Sequence, residues 1–286
     1  MAGTVDVVVV AHDSGAVLRD CVERVLAQPG LRRLVVVDNG SRDGAIERLP
    51  PDARLAVMRN QDNPGFAVAC NQGAAAGDAP WILFLNPDCL LAPDTLALLL
   101  ARATTAPTAA MLGADVRDAA GRPERAARRR DPTLSRSLAQ LAGLARLALA
   151  EGLYIDPDPA QPLHAVDAVS GALMLVRREL CAALGGFDEG YRLHCEDLDL
   201  CRRARAAGAV VAVAEGVPVV HLKGSSSRRR PLFVAWHKTR GMARYRRKFG
   251  PHGLAGAIGS AGIWTRFALA APWHALRQAL AAVRAA

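Results

Sequence analysis

Three short runs, VDVVVVA at 5–11, LRRLVVVD at 31–38 and WILFL at 81–85, constrain this chain more than any other feature. Each is too short for a helix, and its apolar residues are largely consecutive rather than alternating. That is the pattern of a strand covered on both faces. Val17, Leu18, Cys21, Val22, Val25 and Leu26 follow the first run at helical spacing. Strand and helix alternating in this way imply an α/β protein with a mostly parallel central sheet flanked by helices. The runs also end on chemistry: Asp38 closes the second, Asp88 follows WILFLNP, and His221 follows VPVV. An open α/β sheet collects its ligands in the crevice beyond the carboxyl ends of its strands.

The remaining elements fit this scheme. Ser41 is expected to cap a short helix after Asp38, LAVMRN to form a third strand, and Pro64 to start a helix through GFAVACNQGAAAG. Residues 95–106 are expected to be helical, MLGADV a strand and GRPERAARRRDPT a loop. Leu134, Leu138, Leu141 and Leu149 recur at roughly helical spacing, on a face suited to core or lipid. AVSGALMLVRR is expected as one strand with a helix starting at Arg178, GGFDEGY as a turn, EDLDLCRRARAAG as a helix and VVAVAEGVPVVHL as a strand. No internal repeat is visible.

With 286 residues, 51% of them hydrophobic, the chain is long and apolar enough to be an ordered globular protein. Its net charge of +9 is unevenly placed. From His221 onward there are 13 Lys or Arg and no acid, so the first 220 residues carry a net −4. We therefore divide the chain into a main domain, 1–225, and a basic helical extension, 226–286. The extension mixes its cations with Trp236, Phe249, Trp264, Phe267 and Trp273, which suits an anionic membrane surface better than a nucleic-acid groove. Its most apolar stretch, 253–276, is interrupted by Arg266 and Pro272, which favours a helix lying in the interface over one that spans. The six cysteines form no CxxC pair and MAGTVDVVVV lacks a basic n-region, so a reduced, cytoplasmic chain is expected, peripheral on the membrane.

Four constellations carry chemistry, each with a plainer alternative. Asp38, in VVVDNGSRDG, either builds an Asn-Gly turn or accepts a hydrogen bond from a nucleotide base or ribose. Asn86 and Asp88, two apart around a proline, either make an ordinary turn or offer oxygens to Mg²⁺ or Mn²⁺ on a diphosphate. Glu196 and Asp197 either complement a helix dipole or supply a general base, Asp197 being the candidate. His221 is either a packed histidine or a nitrogen ligand to the metal at Asp88. The run KGSSSRRRP, with Arg229 and Arg230, either closes over phosphates or is a solvated charge run, and ARRR at 127–130 has the same two readings. The absence of GxGxxG weighs against a dinucleotide fold.

Six segments in order, VVVDNGSRDG, NPGFAVACNQG, WILFLNPD, SGALMLVRRELCAALGGFDE, EDLDLCRRARAAG and VVHLKGSS, resemble glycosyltransferase family 2, and in particular its bacterial rhamnosyltransferase-like branch. The resemblance runs from Val5 to about Gly250 and implies a GT-A fold and inverting transfer from a nucleotide-sugar. It implies that Ala11, Asp13, Asp38, Gly65, Asn71, Asn86, Asp88 and Arg229 face the donor, that Asp88 and His221 hold the divalent metal, and that Asp197, beside Glu196, deprotonates the acceptor. Three departures stand out. His12-Asp13 replaces the usual Tyr-Asn after the first strand, Asn86 replaces the first Asp of a DxD, and YRLHCED replaces an aromatic-rich segment.

The expected donor is dTDP-L-rhamnose and the expected acceptor a cell-envelope glycan, polyprenyl-diphosphate-linked. The alternatives are a UDP-sugar donor (galactose or N-acetylglucosamine), or a degenerate transferase acting as a binding module. No nucleic-acid partner is expected, and the oligomeric state is not legible.

Overall fold

The computed structural model describes residues 5–141, 147, 149–222 and 230–283. Its centre is a nine-stranded sheet with the order β3-β2-β1-β4-β10-β6-β11-β5, to which β8 adds against β11. The strands of the first half are β1 (Val5–Ala11), β2 (Leu31–Asp38), β3 (Leu55–Arg59), β4 (Trp81–Leu85) and β5 (Cys89–Leu91). Those of the second are β6 (Ala109–Arg117), β8 (Leu163–Ala165), β10 (Leu173–Arg177) and β11 (Val210–His221), while β7 (Arg128–Arg129) and β9 (Ala168–Val169) pair separately. Six strands, β1, β2, β3, β4, β6 and β11, share one direction; β10, β5 and β8 oppose it.

The consecutive apolar residues of the central strands do divide between two cores. Val7, Val9, Leu83 and Leu85 face one, with α1 (Val17–Leu26) and α3 (Thr95–Thr105) over them. Val8, Val10, Ile82 and Phe84 face the other, covered by α2 (Phe66–Ala75), α5 (Arg178–Ala183) and α6 (Glu196–Ala206). Side chains alternate across a strand, so a nearly continuous apolar run serves both layers, and the one acid in β1, Asp6, is buried against Arg178 at 2.8 Å. All six cysteines are buried and free.

Several expectations needed correction. After Asp38 there is no Ser41-capped helix, only a 3-10 turn at Ile46–Arg48; the Ser41 hydroxyl instead accepts the Asp13 amide at 3.1 Å. Helix α2 starts at Phe66 with Gly65, not Pro64, at its boundary. AVSGALMLVRR is two strands, β9 and β10, separated by a turn at Ser170, Gly171 and Ala172. The loop expected over 121–133 contains β7, whose Arg128 is 1% exposed and locked between Asp115 of β6 and Glu215 of β11. An arginine buried to that degree requires paired carboxylates, and this triad fastens β7 to the sheet. The leucine-spaced region forms α4 (Leu134–Leu141), and residues 142–146 and 148 lie outside the described residues.

Beyond the sheet, α7 (Pro231–Phe249) packs on α6 and on α8 (Gly253–Val283), the long C-terminal helix. Helix α8 continues through Pro272, and its segment Gly253–Ala279 is long and apolar enough to cross a membrane while being almost wholly unburied.

Candidate active site

The carboxyl ends of β1, β2 and β4 lie side by side, with Ala11 in register with Asp38. The loops after β1 and β2 are stitched together. Asp38 accepts the Ser41 amide at 2.9 Å, Asp13 accepts the Arg42 amide at 2.8 Å, and the Gly15 amide donates to Asp43 at 2.6 Å. Asp13 itself takes a left-handed φ of 48°. The Asn39 amide reaches the Gly65 carbonyl at 3.3 Å, bringing the loop before α2 to the same edge. Gly65, at φ 112°, is required there: a Cβ would lie 2.9 Å from the Arg192 carbonyl. Ala11, Asp13, Asp38 and Gly65 thus form one rim.

Next along the edge, Asn86 and Asp88 follow β4. The Asn86 backbone amide donates to the Ala172 carbonyl at 2.9 Å, and Asp88 is buried beside His221 at the end of β11. The His221 Nε2 lies 3.2 Å from Asp88 Oδ1, while Nδ1 lies 3.1 Å from Glu124. Burial opposes a charge on this imidazole, but the bonds to Asp88 and Glu124 outweigh it and raise its pKa to about 9. Asp88, Cys89 and His221 bring ligand atoms within 4.8 Å of one another. The Cys89 thiol is turned to the Ala172 carbonyl at 3.3 Å, and burial with the nearby Asp88 charge pushes its pKa up. A carboxylate and an imidazole converging, with a second carboxylate to orient the other ring nitrogen, would suit a divalent cation that displaces the Nε2 proton.

The turn between β9 and β10 joins this cluster to the Glu196–Asp197 pair. Ala172 takes the Asn86 amide, and the Gly171 amide one residue earlier donates to Asp197 Oδ2 at 2.9 Å. Arg129 of β7 donates to the same oxygen at 2.6 Å and also to the Val169 carbonyl. The Leu198 amide donates to Asp197 Oδ1 at 2.8 Å. Burial alone would raise the Asp197 pKa; the Arg129 charge and these amides lower it below the ordinary carboxylate value. Glu196 is the reverse case. Burial first, and the Asp197 charge second, raise its pKa to about 8, and its Oε2 has no partner among the described residues. One carboxylate is held ionised and its neighbour protonated, the division of labour expected where only one serves as base.

The turn into α6 is strained. His194 and Cys195 both take left-handed φ values, 66° and 72°, uncommon for side-chain-bearing residues and costing about 1–3 kcal/mol each. Helix α7 braces this turn through Gly241, where a Cβ would lie 2.6 Å from the His194 carbonyl.

Of the residues expected to face the donor, Asn71 stands apart. Its amide clamps the turn before α6, donating to the Phe187 carbonyl at 2.9 Å and to Glu189 at 3.0 Å, and accepting the Phe187 amide at 2.8 Å. Arg229 lies outside the described residues. Sequence reasoning did not single out Glu124 or assign Arg129 a partner.

The comparisons with known proteins agree with this geometry. A family model described as "Glycosyltransferase like family 2" matches residues 2–243. The chain is 29% identical over 262 residues to an N-acetylglucosaminyl-diphospho-decaprenol L-rhamnosyltransferase of Mycobacterium tuberculosis, covering 84% of this chain and 83% of that one. It is 30% identical over 146 residues to rhamnosyltransferase WbbL of Escherichia coli, covering 50% and 53%. Among solved structures, a mannosyltransferase of Pyrobaculum calidifontis in complex with GDP-Man and Mn²⁺ superposes with a TM-score of 0.59 at 19% identity, over 100% of this chain and 75% of that one. GalNAc-T7 with UDP, GalNAc and Mn²⁺ gives 0.60 at 17%, over 78% and 44%. The order of the strands, the polar edge they share and the match over most of the chain lead to one conclusion: the chain belongs to glycosyltransferase family 2 and is a glycosyltransferase of the GT-A fold, with rhamnosyltransferases among its relatives.

Proposed function

We propose that the chain transfers L-rhamnose, with inversion, from dTDP-L-rhamnose to a polyprenyl-diphosphate-linked saccharide of the cell envelope, at the cytoplasmic face of the membrane. The observation that carries this reading is the Gly171–Ala172 step, whose amide holds Asp197 and whose carbonyl holds the Asn86 end of the cation cluster. It sets an ionised carboxylate next to the place where a nucleoside diphosphate would leave. Asp197 takes the acceptor hydroxyl proton as that oxygen attacks the anomeric carbon on the face opposite the diphosphate. Glu196, protonated, adds no second charge to the pocket.

Asp88 and His221 would hold Mg²⁺ or Mn²⁺, with Glu124 fixing the imidazole ring; the cation, when bound, offsets charge on the departing diphosphate. Asp38 and Asp13 line the base and ribose end, and Asn86 lies between that end and the cation ligands. The named acceptor and sugar of the mycobacterial relative support the choice of donor and acceptor class. Helix α8 and the acid-free extension support a peripheral membrane location.

A panel of dTDP-, UDP- and GDP-sugars, each assayed with and without EDTA, tests the proposal. Turnover is expected with dTDP-L-rhamnose alone and is expected to vanish in EDTA. Preference for a UDP-sugar would overturn the donor assignment, and full activity in EDTA would overturn the cation's role.

A further inference from the structure

Helix α7 carries two adjoining cavities that the donor site does not use. The first, of about 270 Å³, lies between α7 and the turn at 189–192, and is lined by Arg192, His237, Arg240 and Glu189. The second, of about 500 Å³, opens between α7 and α8 and is lined by Leu232, Phe233, Trp236 and Phe267, with Arg230 at its edge. Two contacts join them. The Arg240 guanidinium stands 6.0 Å over the Trp236 ring, and the Phe233 ring lies 4.3 Å from that of His237. A cationic chamber therefore runs into an aromatic groove along one side of a single helix.

The charge balance of the chamber favours an anion. Glu189 is turned toward α2, where it accepts the Asn71 amide at 3.0 Å. Among the described residues, Arg240 has no carboxylate partner, and the Arg192 guanidinium donates to the Asn63 carbonyl at 2.9 Å rather than to an acid. Burial, then the charges of Arg192 and Arg240, lower the His237 pKa, as two cations without a balancing acid would. The groove has the opposite character. Trp236, Trp264 and Phe267 pack ring to ring, with centroids 5.5–6.3 Å apart, yet Phe233, Trp236 and Trp264 remain more than a third exposed.

Position ties both to the reaction. The Arg192 carbonyl accepts the Phe66 amide at 2.9 Å, so the chamber abuts the Gly65 loop of the donor rim. Gly241, one residue beyond Arg240, braces the strained turn that precedes Asp197.

We propose that α7 binds the anchor of the acceptor, an isoprenoid diphosphate, with Arg192 and Arg240 holding the diphosphate and the Phe233–Trp236–Phe267 groove taking the first isoprene units. The sugar on that diphosphate then extends past the His194–Cys195 turn toward Asp197. The inference rests on the acceptor class assigned above and gives that acceptor its binding surface. A diphosphate suits two arginine forks, and a branched unsaturated chain suits an aromatic groove; no soluble glycan needs both.

The test measures binding to the full chain in EDTA, with farnesyl diphosphate, farnesol and inorganic pyrophosphate as probes. Farnesyl diphosphate should bind at least about tenfold more tightly than either half alone, the scale of one or two charge-assisted bonds or a few buried methylenes. Replacing both arginines, Arg192→Gln with Arg240→Gln, should erase the advantage over farnesol, and Trp236→Ser the advantage over pyrophosphate. Equal binding of farnesol and farnesyl diphosphate, or variants that bind as the wild type does, would overturn the inference. So would variants that lose phosphatidylglycerol vesicles but keep farnesyl diphosphate, since the cations would then serve the bilayer. A parallel transfer assay separates this inference from the acceptor assignment. A wild type that glycosylates only neutral glycosides refutes that assignment, while the binding arms judge the cavities on their own.

Discussion

Arg129 Nη2 lies 2.6 Å from Asp197 Oδ2, and this ion pair joins a two-residue strand to the first turn of α6. The pair is mostly buried, so its field is little screened. It keeps the carboxylate ionised and fixes one of its oxygens, two requirements of a base that must act at neutral pH.

The Arg129→Gln variant should show the consequence in a pH profile. Without the guanidinium, burial dominates and the Asp197 pKa rises, so the acidic limb of kcat should move upward by about 1–3 pH units. Arg129→Lys should recover part of the shift, because it restores charge but not the geometry of the fork. An acidic limb that stays in place in both variants would mean that Arg129 does not act through Asp197.

Glu196 predicts a stability effect of definite sign. Its folded pKa, about 8, lies above the unfolded value, so between roughly pH 4.3 and that point the folded chain retains a proton that the unfolded chain has released. Stability from this group is therefore complete at low pH and declines as pH rises through the window. The Glu196→Gln variant, neutral throughout, should melt at a higher temperature than the wild type at pH 8, with the difference shrinking toward pH 5. Melting curves at the two pH values decide it, and a difference that grows toward pH 5 would reverse the assignment.

Much of the fold was legible because the central strands write their burial directly into the sequence. WILFL and the VVVVA of residues 7–11 are unbroken because both faces are covered, the buried Asp6 before them being paired with Arg178, and Asp38 closes β2 by interrupting such a run. The ARRR cluster was less legible. A charge run shows no partners locally, and those of Arg128 and Arg129 are Asp115, Glu215 and Asp197, brought together only by the sheet. Glu124 was missed for the same reason: its link to His221 crosses 97 positions. The break in AVSGALMLVRR was hidden because Ser-Gly-Ala also fits a strand, and only the hydrogen bonds from Gly171 and to Ala172 reveal a turn. Asn71 and Gly65 sit in one motif, yet one clamps a turn and the other forms the rim.

Gly241 tests whether the strained turn matters. In Gly241→Ala the new methyl would lie about 2.6 Å from the His194 carbonyl, so α7 must shift or the turn must relax. Overpacking of this kind costs about 1–3 kcal/mol. The variant should lose thermal stability and kcat together while donor KM stays near the wild-type value. Unchanged melting and turnover would show that the contact is slack.

The most direct measurement of the account is turnover and donor binding in Asp197→Asn, with circular dichroism reporting the fold. The substitution keeps the shape but removes the proton acceptor, so kcat should fall by about two to four orders of magnitude while the affinity for dTDP-L-rhamnose changes little. A folded variant with near-normal turnover, or one whose loss lies entirely in donor binding, would contradict the assignment of Asp197 as the base.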